Sequence, residues 1–287
     1  MNDIEIIDYL EKISKKENTL FEYNNNIVEK SKINGFDIEN NINYDEQSII
    51  VSAIVDKKKG KYKIKDINKT KIKEGIIKAK KLAKIKTEKE IDCFGKGLPK
   101  KKIKFDKNIE KIDFGKLLEE TKKNLVKEKY ITSYVGDVYK VKSKNYTITN
   151  NLTEIQEKQY ITSQFTINTK KQKQNSGFFY NIFTKKEDVN IENTIKQAKI
   201  NANNLLSPKQ GEKGNYKLIL TPEIVQEILS YFVLDACKGD AIYRKESYLN
   251  NLKNKEIFSK NLSIIEHPHL DYFLGSSLVD EEAIKTN

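Results

Sequence analysis

The sequence predicts an α+β protein. Three observations carry this. Short runs that alternate β-branched or aromatic residues with polar ones recur between Asn- and Gly-marked turns. Stretches with apolar residues at helical spacing, lysines filling their other faces, flank those runs. A Thr221-Pro222 pair then starts a helix directly after an apolar run, where proline's missing N–H is harmless. The chain divides into an N-terminal α+β domain of antiparallel strands and helices, 1–110, and a second region, 111–287, that is first strand-rich and then a strand–helix unit.

Taken in order, IEIIDYLEKI places Ile6, Ile7, Leu10 and Ile13 on one side of a helix. TLFEYNNNIVEKSKI, QSIIVSAIVD and KGKYKIK read as three or four antiparallel strands. From Lys69 to Lys84, Ile72, Ile76, Ala79 and Ala83 form a helical stripe. CFGKGLPKKK, 93–102, has Gly and Pro without periodicity and is a connector. A helix from Asp113 to about Lys127 turns Phe114, Leu117, Leu118 and Leu125 inward. YITSYVGDVYKV, YTITNN, YITSQFTINT and SGFFYNIFT follow, suiting an antiparallel sheet with one wet face. Helix 191–205 carries Ile191, Ile195 and Ala198 on one stripe. A strand Tyr216–Leu220 then leads into the Pro222 helix, with Ile224, Ile228, Tyr231 and Phe232 as its apolar face and Gly239 closing it. No internal repeat is evident in the letters.

Composition excludes several classes. No run of 18 apolar residues occurs, so no membrane-spanning helix is expected. MNDIEIIDYLEK reads as an amphipathic helix rather than a signal peptide, and Cys93 and Cys237 stand alone, so a reducing cytoplasm is the expected location. The net charge of +12 is concentrated in residues 56–107, where 21 lysines meet 7 acids for a net of +14. That surface, with Tyr62, Phe94 and Phe105, would suit RNA or DNA. Against it, Arg244 is the only arginine, and arginine's planar fork is what grips phosphate and reads guanine. A solvated lysine face in the product of an AT-rich genome accounts for the same charge, so nucleic acid is the less favoured partner.

Catalytic constellations are absent from the spacing. His267 and His269 flank Pro268, and an extended backbone would point both imidazoles one way. Zinc takes three or four ligands, however, and the chain has no other histidine. Glu266, Asp271, Asp280 and Glu282 are nearby oxygens, but a structural loop is the favoured reading. Neither cysteine has a base beside it, and the glycines match no phosphate or dinucleotide motif.

Three stretches in sequence resemble the TldD/PmbA family in its PmbA, or TldE, branch. AIVDKKKGKYKIKDINKTKIKEGIIKAKKLAK is similar to the family's strand, glycine-marked turn, second strand ending in Asp, and helix ending in A-x-x-x-A. YKLILTPEIVQEILSYFVLDACKGDAIYRKESYL, 216–249, resembles the PmbA strand–helix with its G-x-x-x-Y-R-K-x-S-x-L tail. LSIIEHPHLDYFLGSSLVDEEA parallels a stretch in which a Pro-His pair precedes a serine and F-D-x-E-G, here Val279-Asp280-Glu281-Glu282-Ala283 with Phe and Gly replaced.

The resemblance implies the following. The TldD branch carries a helical HExxxH zinc motif; registered on Gly239-Asp240, its histidines fall on Ser230 and Asp235 and its glutamate on Tyr231. Those side chains cannot supply an imidazole pair and a general base. The chain is therefore expected to hold no zinc itself. It would pair, as PmbA does, with a zinc-bearing TldD-like paralogue in a heterodimeric metallopeptidase acting on small or unstructured peptides, in a family also linked to modulation of DNA gyrase. Arg244, Ser247, His267 and His269 are the expected partner or substrate contacts. Arg244 stands out as the one arginine among lysines, suited to a bidentate carboxylate. Family proteins continue into a mostly β C-terminal region, so an incomplete C-terminal β region is expected here. Two alternatives stay open: the lysine-rich nucleic-acid module, and a decayed remnant without function.

Overall fold

The computed structural model describes residues 1–87, 92–97, 101–208, 210–252 and 254–286; Leu98, Pro99 and Lys100 of the expected connector lie outside them. The chain forms two compact units, one of residues 1–208 with 267–287, the other of residues 209–266.

The larger unit is built on one antiparallel sheet in the order β3-β2-β1-β4-β5-β6. Helix α1 (Asp3–Glu17) precedes β1 (Thr19–Gly35), β2 (Asp37–Val55) and β3 (Lys58–Ile64), and α2 (Lys69–Ile85) follows. After a 3-10 turn at Lys107–Lys111, α3 (Phe114–Lys123) precedes β4 (Ile131–Ile148), β5 (Thr153–Lys170) and β6 (Gln174–Phe183), and α4 (Ile191–Asn204) follows. Helix, three strands, helix thus occurs twice, and the two copies meet where β1 pairs antiparallel with β4. The absence of a repeat expected from the letters is corrected here: the repeat is in the elements, carried by patterning rather than by shared residues. Residue 110, where the sequence divides, lies in the 3-10 turn between the copies, and the sheet runs unbroken across it.

Local chemistry explains the elements. All four helices start at an Asn or Asp whose side chain accepts a first-turn N–H: Asn2, Asn68, Asp113 and Asn190. Asn2 and Glu5 complete a reciprocal capping box. The β2–β3 hairpin turns on Asp56 and Lys57, both at positive φ (51° and 65°), as a two-residue turn of the right twist requires. The two long runs expected before residue 150, YITSYVGDVYKV and YTITNN, are one strand, β4.

Strand alternation sorts the sheet's faces. One face carries two apolar clusters. Phe21, Tyr23, Ile49, Val51 and Ile64 meet Ile6 and Leu10 of α1 and Ile72, Ile76 and Ala79 of α2. Ile33, Tyr134, Val138, Ile161 and Phe165 meet Phe114 and Leu118 of α3 and Ile191, Ile195 and Ala198 of α4. Each edge strand has a glycine where its helix approaches: Gly60 of β3 against Ala79 and Ala83, and Gly177 of β6 against Ala198 and Ala202. On the opposite face, Leu20, Leu152 and Phe94 bury with Val279 and Ala283 of the terminal segment.

The smaller unit departs from expectation in three ways. No strand forms at 216–220: a strand exists only through a partner ladder, none of the described residues supplies one, and Ile219 is 98% exposed. The helix does start at Pro222, as α5 (Pro222–Leu229), but its expected inward face of Ile224, Ile228, Tyr231 and Phe232 is exposed; Val233 and Ala236 are buried instead. The helix passes through a π-turn (Ser230–Leu234) into α6 (Asp235–Cys237). Gly239 does not close it but opens the next short helix, α7 (Gly239–Tyr243), after Lys238 has gone extended.

Candidate functional site on the proline-started helix

The three positions singled out on this helix bracket its one irregular turn. Ser230 and Asp235 are five residues apart, which in a regular α-helix leaves them about 140° apart around the axis. Here Asp235 N donates to Ser230 O, the i to i+5 bond of a π-turn, and that wider turn brings the two side chains back to one side. Tyr231 beside them is 72% exposed. The carboxylate of Asp235 is engaged by Lys238 at 2.6 Å.

This donor set does not fit zinc. A serine hydroxyl and a single carboxylate already paired with a lysine offer no imidazole. Among the described residues no group of three or more His, Cys, Asp or Glu side chains is gathered closely enough to hold a metal ion.

The tail after the helix holds the π-turn in place. Ser247 is buried; its hydroxyl donates to Ala236 O (2.6 Å), an end carbonyl of the helix, and accepts from Leu249 N (3.0 Å). Tyr248 Oη donates to Phe232 O inside the π-turn (2.6 Å). The short helix α7 ends with Lys245 at φ 60°, Lys245 N donating to Ile242 O (3.1 Å) and Glu246 N to Ala241 O (2.9 Å). That is the Schellman arrangement, with lysine where glycine is usual. Arg244 is exposed and pairs within its own unit, Nη2 with Asp240 (3.1 Å) and Nε with Glu246 (2.9 Å).

His267 and His269 fall in the larger unit, so the four expected contact residues are divided between units. His267 is exposed. Thr286 Oγ1 donates to Ser277 O (2.6 Å), so the imidazole of His269 is the donor in its 2.8 Å bond to that hydroxyl. The same loop is tied by Ser277 N to Pro268 O (3.0 Å) and Ser276 Oγ to Leu270 O (2.8 Å). His269 thus braces a loop.

The VDEEA stretch is a turn centred on Asp280, whose Oδ1 accepts from Glu282 N and Ile284 N, both at 2.9 Å. Ala283 takes φ 60°, the left-handed conformation, at the position where the resembled motif has glycine. Glu281 and Glu282 pair with Lys61 and Lys59 of β3. Gly95 N donates to Glu282 O (2.8 Å). Phe94, one of the three aromatics of the nucleic-acid reading, is buried in this contact and has no face left for a base.

Sequence reasoning missed Lys245 and Tyr248, and it missed a row of charged side chains on the sheet. The signal for the latter was legible: Lys140, Lys142 and Lys144 alternate within a strand pattern, so they share one face.

Comparison with known proteins places this architecture. Three solved structures share the fold. A modulator of DNA gyrase from Bacteroides thetaiotaomicron superposes with a TM-score of 0.84 at 18% identity, over 99% of this chain and 68% of that one. A modulator of a DNA gyrase from Thermotoga maritima gives 0.75 at 16% identity, over 100% and 67%. TldE from Thermococcus kodakarensis gives 0.69 at 17% identity, over 98% and 66%. The class defined is that of the gyrase-modulator and TldE fold. In sequence, residues 213–287 match the family described as PmbA/TldA metallopeptidase C-terminal domain. An uncharacterised protein of Methanocaldococcus jannaschii is 35% identical over 74 residues, 26% of this chain and 17% of that protein. Metalloprotease PmbA of Escherichia coli O157:H7 is 32% identical over 81 residues, 28% of this chain and 18% of that protein. By sequence over residues 213–287, and by fold over nearly its whole length, the chain is similar to proteins of the PmbA/TldD family. Its alignments span under a fifth of the curated relatives' length and about two thirds of the solved neighbours'.

Proposed function

We propose that this chain is a PmbA/TldE-like subunit that holds no zinc of its own and works with a zinc-bearing TldD-like partner in hydrolysing small or unstructured peptides. The observation that carries the reading is the π-turn. Five-residue spacing on one helix side is the geometry an HExxxH pair needs, and here it presents Ser230 and Asp235, which cannot bind zinc as imidazoles would. Arg244 and His267, both exposed, are the contact residues for partner or peptide in this reading. Ser247 and His269, engaged internally, hold the segments that present them.

Co-expression with a paralogue that carries HExxxH tests this. The pair is expected to co-purify, contain zinc and cleave an unstructured peptide such as denatured casein. The chain alone is expected to bind no stoichiometric zinc and cleave nothing. A lone chain that binds one zinc per molecule and hydrolyses casein refutes the proposal.

A further inference from the structure

The helices of the larger unit share one face of the sheet but not one charge. Helix α2 holds seven lysines against one acid, Glu74, whereas α4, its counterpart in the second copy, holds two against Glu192. The glycine contacts register the pair, Ala79 on Ala198 and Ala83 on Ala202. In that register Lys73, Lys81 and Lys84 stand where the second copy has Glu192, Ile200 and Asn203. A lysine-rich composition acts on both helices alike, so it does not account for the difference.

Those three lysines are exposed, and unlike their neighbours they have no acid or hydrogen-bond partner among the described residues. Lys80 pairs with Glu17 (2.6 Å), Lys71 with Glu74 (3.0 Å), and Lys78 donates to Tyr62 Oη (2.9 Å). Between the free lysines two isoleucines stand out into solvent, Ile77 at 55% and Ile85 at 76% exposure. At about 100° per residue, all five side chains fall within about 120° of the helix surface. That arc lies opposite Ile72, Ile76 and Ala79, which are in the core. Ile77 and Ile85 are separated by about 12 Å along the helix axis.

We propose that the outward face of α2 binds the surface of an anionic lipid bilayer. Lys73, Lys81 and Lys84 meet the negative headgroups, and Ile77 and Ile85 enter the headgroup layer between them. The contact is peripheral, since the helix keeps its inner stripe in the protein core. A bilayer suits this mixture better than a nucleic acid does. Exposed isoleucines gain little against a phosphate backbone, whereas the acyl boundary takes them out of water. The side chains a nucleic-acid surface would use are engaged elsewhere. Phe94 is buried, Lys158 lies over the Phe105 ring, Tyr62 is tied to Lys78, and Arg244 belongs to the smaller unit. This surface is separate from the proline-started helix and does not rest on the function proposed for it.

Co-sedimentation of the full chain with vesicles tests this, comparing pure phosphatidylcholine with phosphatidylcholine containing about one third phosphatidylglycerol, at about 0.1 M salt. Binding is expected on the anionic vesicles only, and should fall away as salt rises to about 0.5 M. The triple variant Lys73→Gln, Lys81→Gln, Lys84→Gln should weaken it about a hundredfold. Lys116→Gln, Lys123→Gln, Lys196→Gln removes the same charge from exposed positions of the second copy and should leave it within about threefold of wild type. Ile77→Asn with Ile85→Asn should weaken it about tenfold. A cooperative melt like that of wild type shows each variant to be folded. Absence of binding to anionic vesicles overturns the proposal. So do equal losses in the two lysine triples, which would mean net charge alone, and unchanged affinity in the isoleucine pair. A short DNA duplex that binds more tightly than the anionic vesicles, with an affinity indifferent to the isoleucine pair, overturns it in favour of nucleic acid.

Discussion

Alanine at Gly177 is the sharpest test of the repeated architecture. A Cβ there would stand 2.6 Å from both Ala198 O and Ala202 Cα, and nearer still to Ala202 N. These are backbone atoms of α4, so no side chain can swing away. Ordinary contact begins near 3.4 Å, and α4 would have to retreat by roughly 1 Å, opening the packing of Ile195, Ala198 and Ala202. Overpacking of this kind costs about 1–3 kcal/mol, and a backbone clash sits at the upper end. Alanine's advantage over glycine in a strand returns roughly 0.5–1 kcal/mol. The net loss is about 2 kcal/mol, or about 4–8 °C in melting temperature for a unit of this size. Urea denaturation and a thermal melt measure it. Gly211→Ala, where a Cβ meets nothing within 4 Å, is the control. Gly60→Ala should match Gly177→Ala, because its Cβ would meet Ala79 and Ala83 of α2 in the same way. A Gly177→Ala chain that melts within a degree of the Gly211→Ala control refutes the close-approach argument, and unequal effects at 60 and 177 refute the structural equivalence of the copies.

Lys245→Gly should stabilise the smaller unit by about 0.5–1 kcal/mol, seen as slower amide exchange over 236–249, because it removes a side chain from the left-handed position of the Schellman turn. Ser247→Ala should cost the same unit about 1–2 kcal/mol and raise exchange at Leu249, since Ala236 O and Leu249 N both lose their partner. Asp106 accepts from Lys186 N and Asn108 N at 2.8 and 2.9 Å, which holds its carboxyl below the usual aspartate range. Its contribution to stability is therefore fully present above the ordinary aspartate pKa of about 4 and is lost as pH falls below that and through the lowered value of the folded state. Asp106→Asn should accordingly destabilise at neutral pH and flatten the acid limb of a melt-versus-pH series, and an unchanged acid limb would show that the carboxylate contributes nothing there.

Legibility in the sequence tracked how local the determining physics was. The four helices of the larger unit announced themselves through apolar stripes, and the long hairpins through period-two alternation, because both signals are written within a dozen residues. Tyr216–Leu220 failed for the opposite reason: the apolar run is there, but a strand needs a partner, and pairing is not written in the segment itself. The repeat was hidden because what recurs is a small set of steric relations. Gly60 with Ala79 and Ala83, and Gly177 with Ala198 and Ala202, are the same contact at unequal sequence spacing. At the candidate site, the positions 230, 231 and 235 could be registered from the resemblance alone, whereas the π-turn that unites two of them could not, since no residue type specifies it.

That π-turn is also held independently of the side chains at 230 and 235. Here the same turn is tied from behind: Tyr248 Oη reaches Phe232 O and Ser247 Oγ reaches Ala236 O, so the tail that follows Gly239 supplies the restraint. Side chains at 230 and 235 are then free to change without unwinding the helix, because neither is part of the hydrogen bonding that shapes it. Serine and an aspartate paired with Lys238 are residues such a position tolerates. The shape of the helix is thus a property of the tail, and only the chemistry of its face belongs to residues 230, 231 and 235.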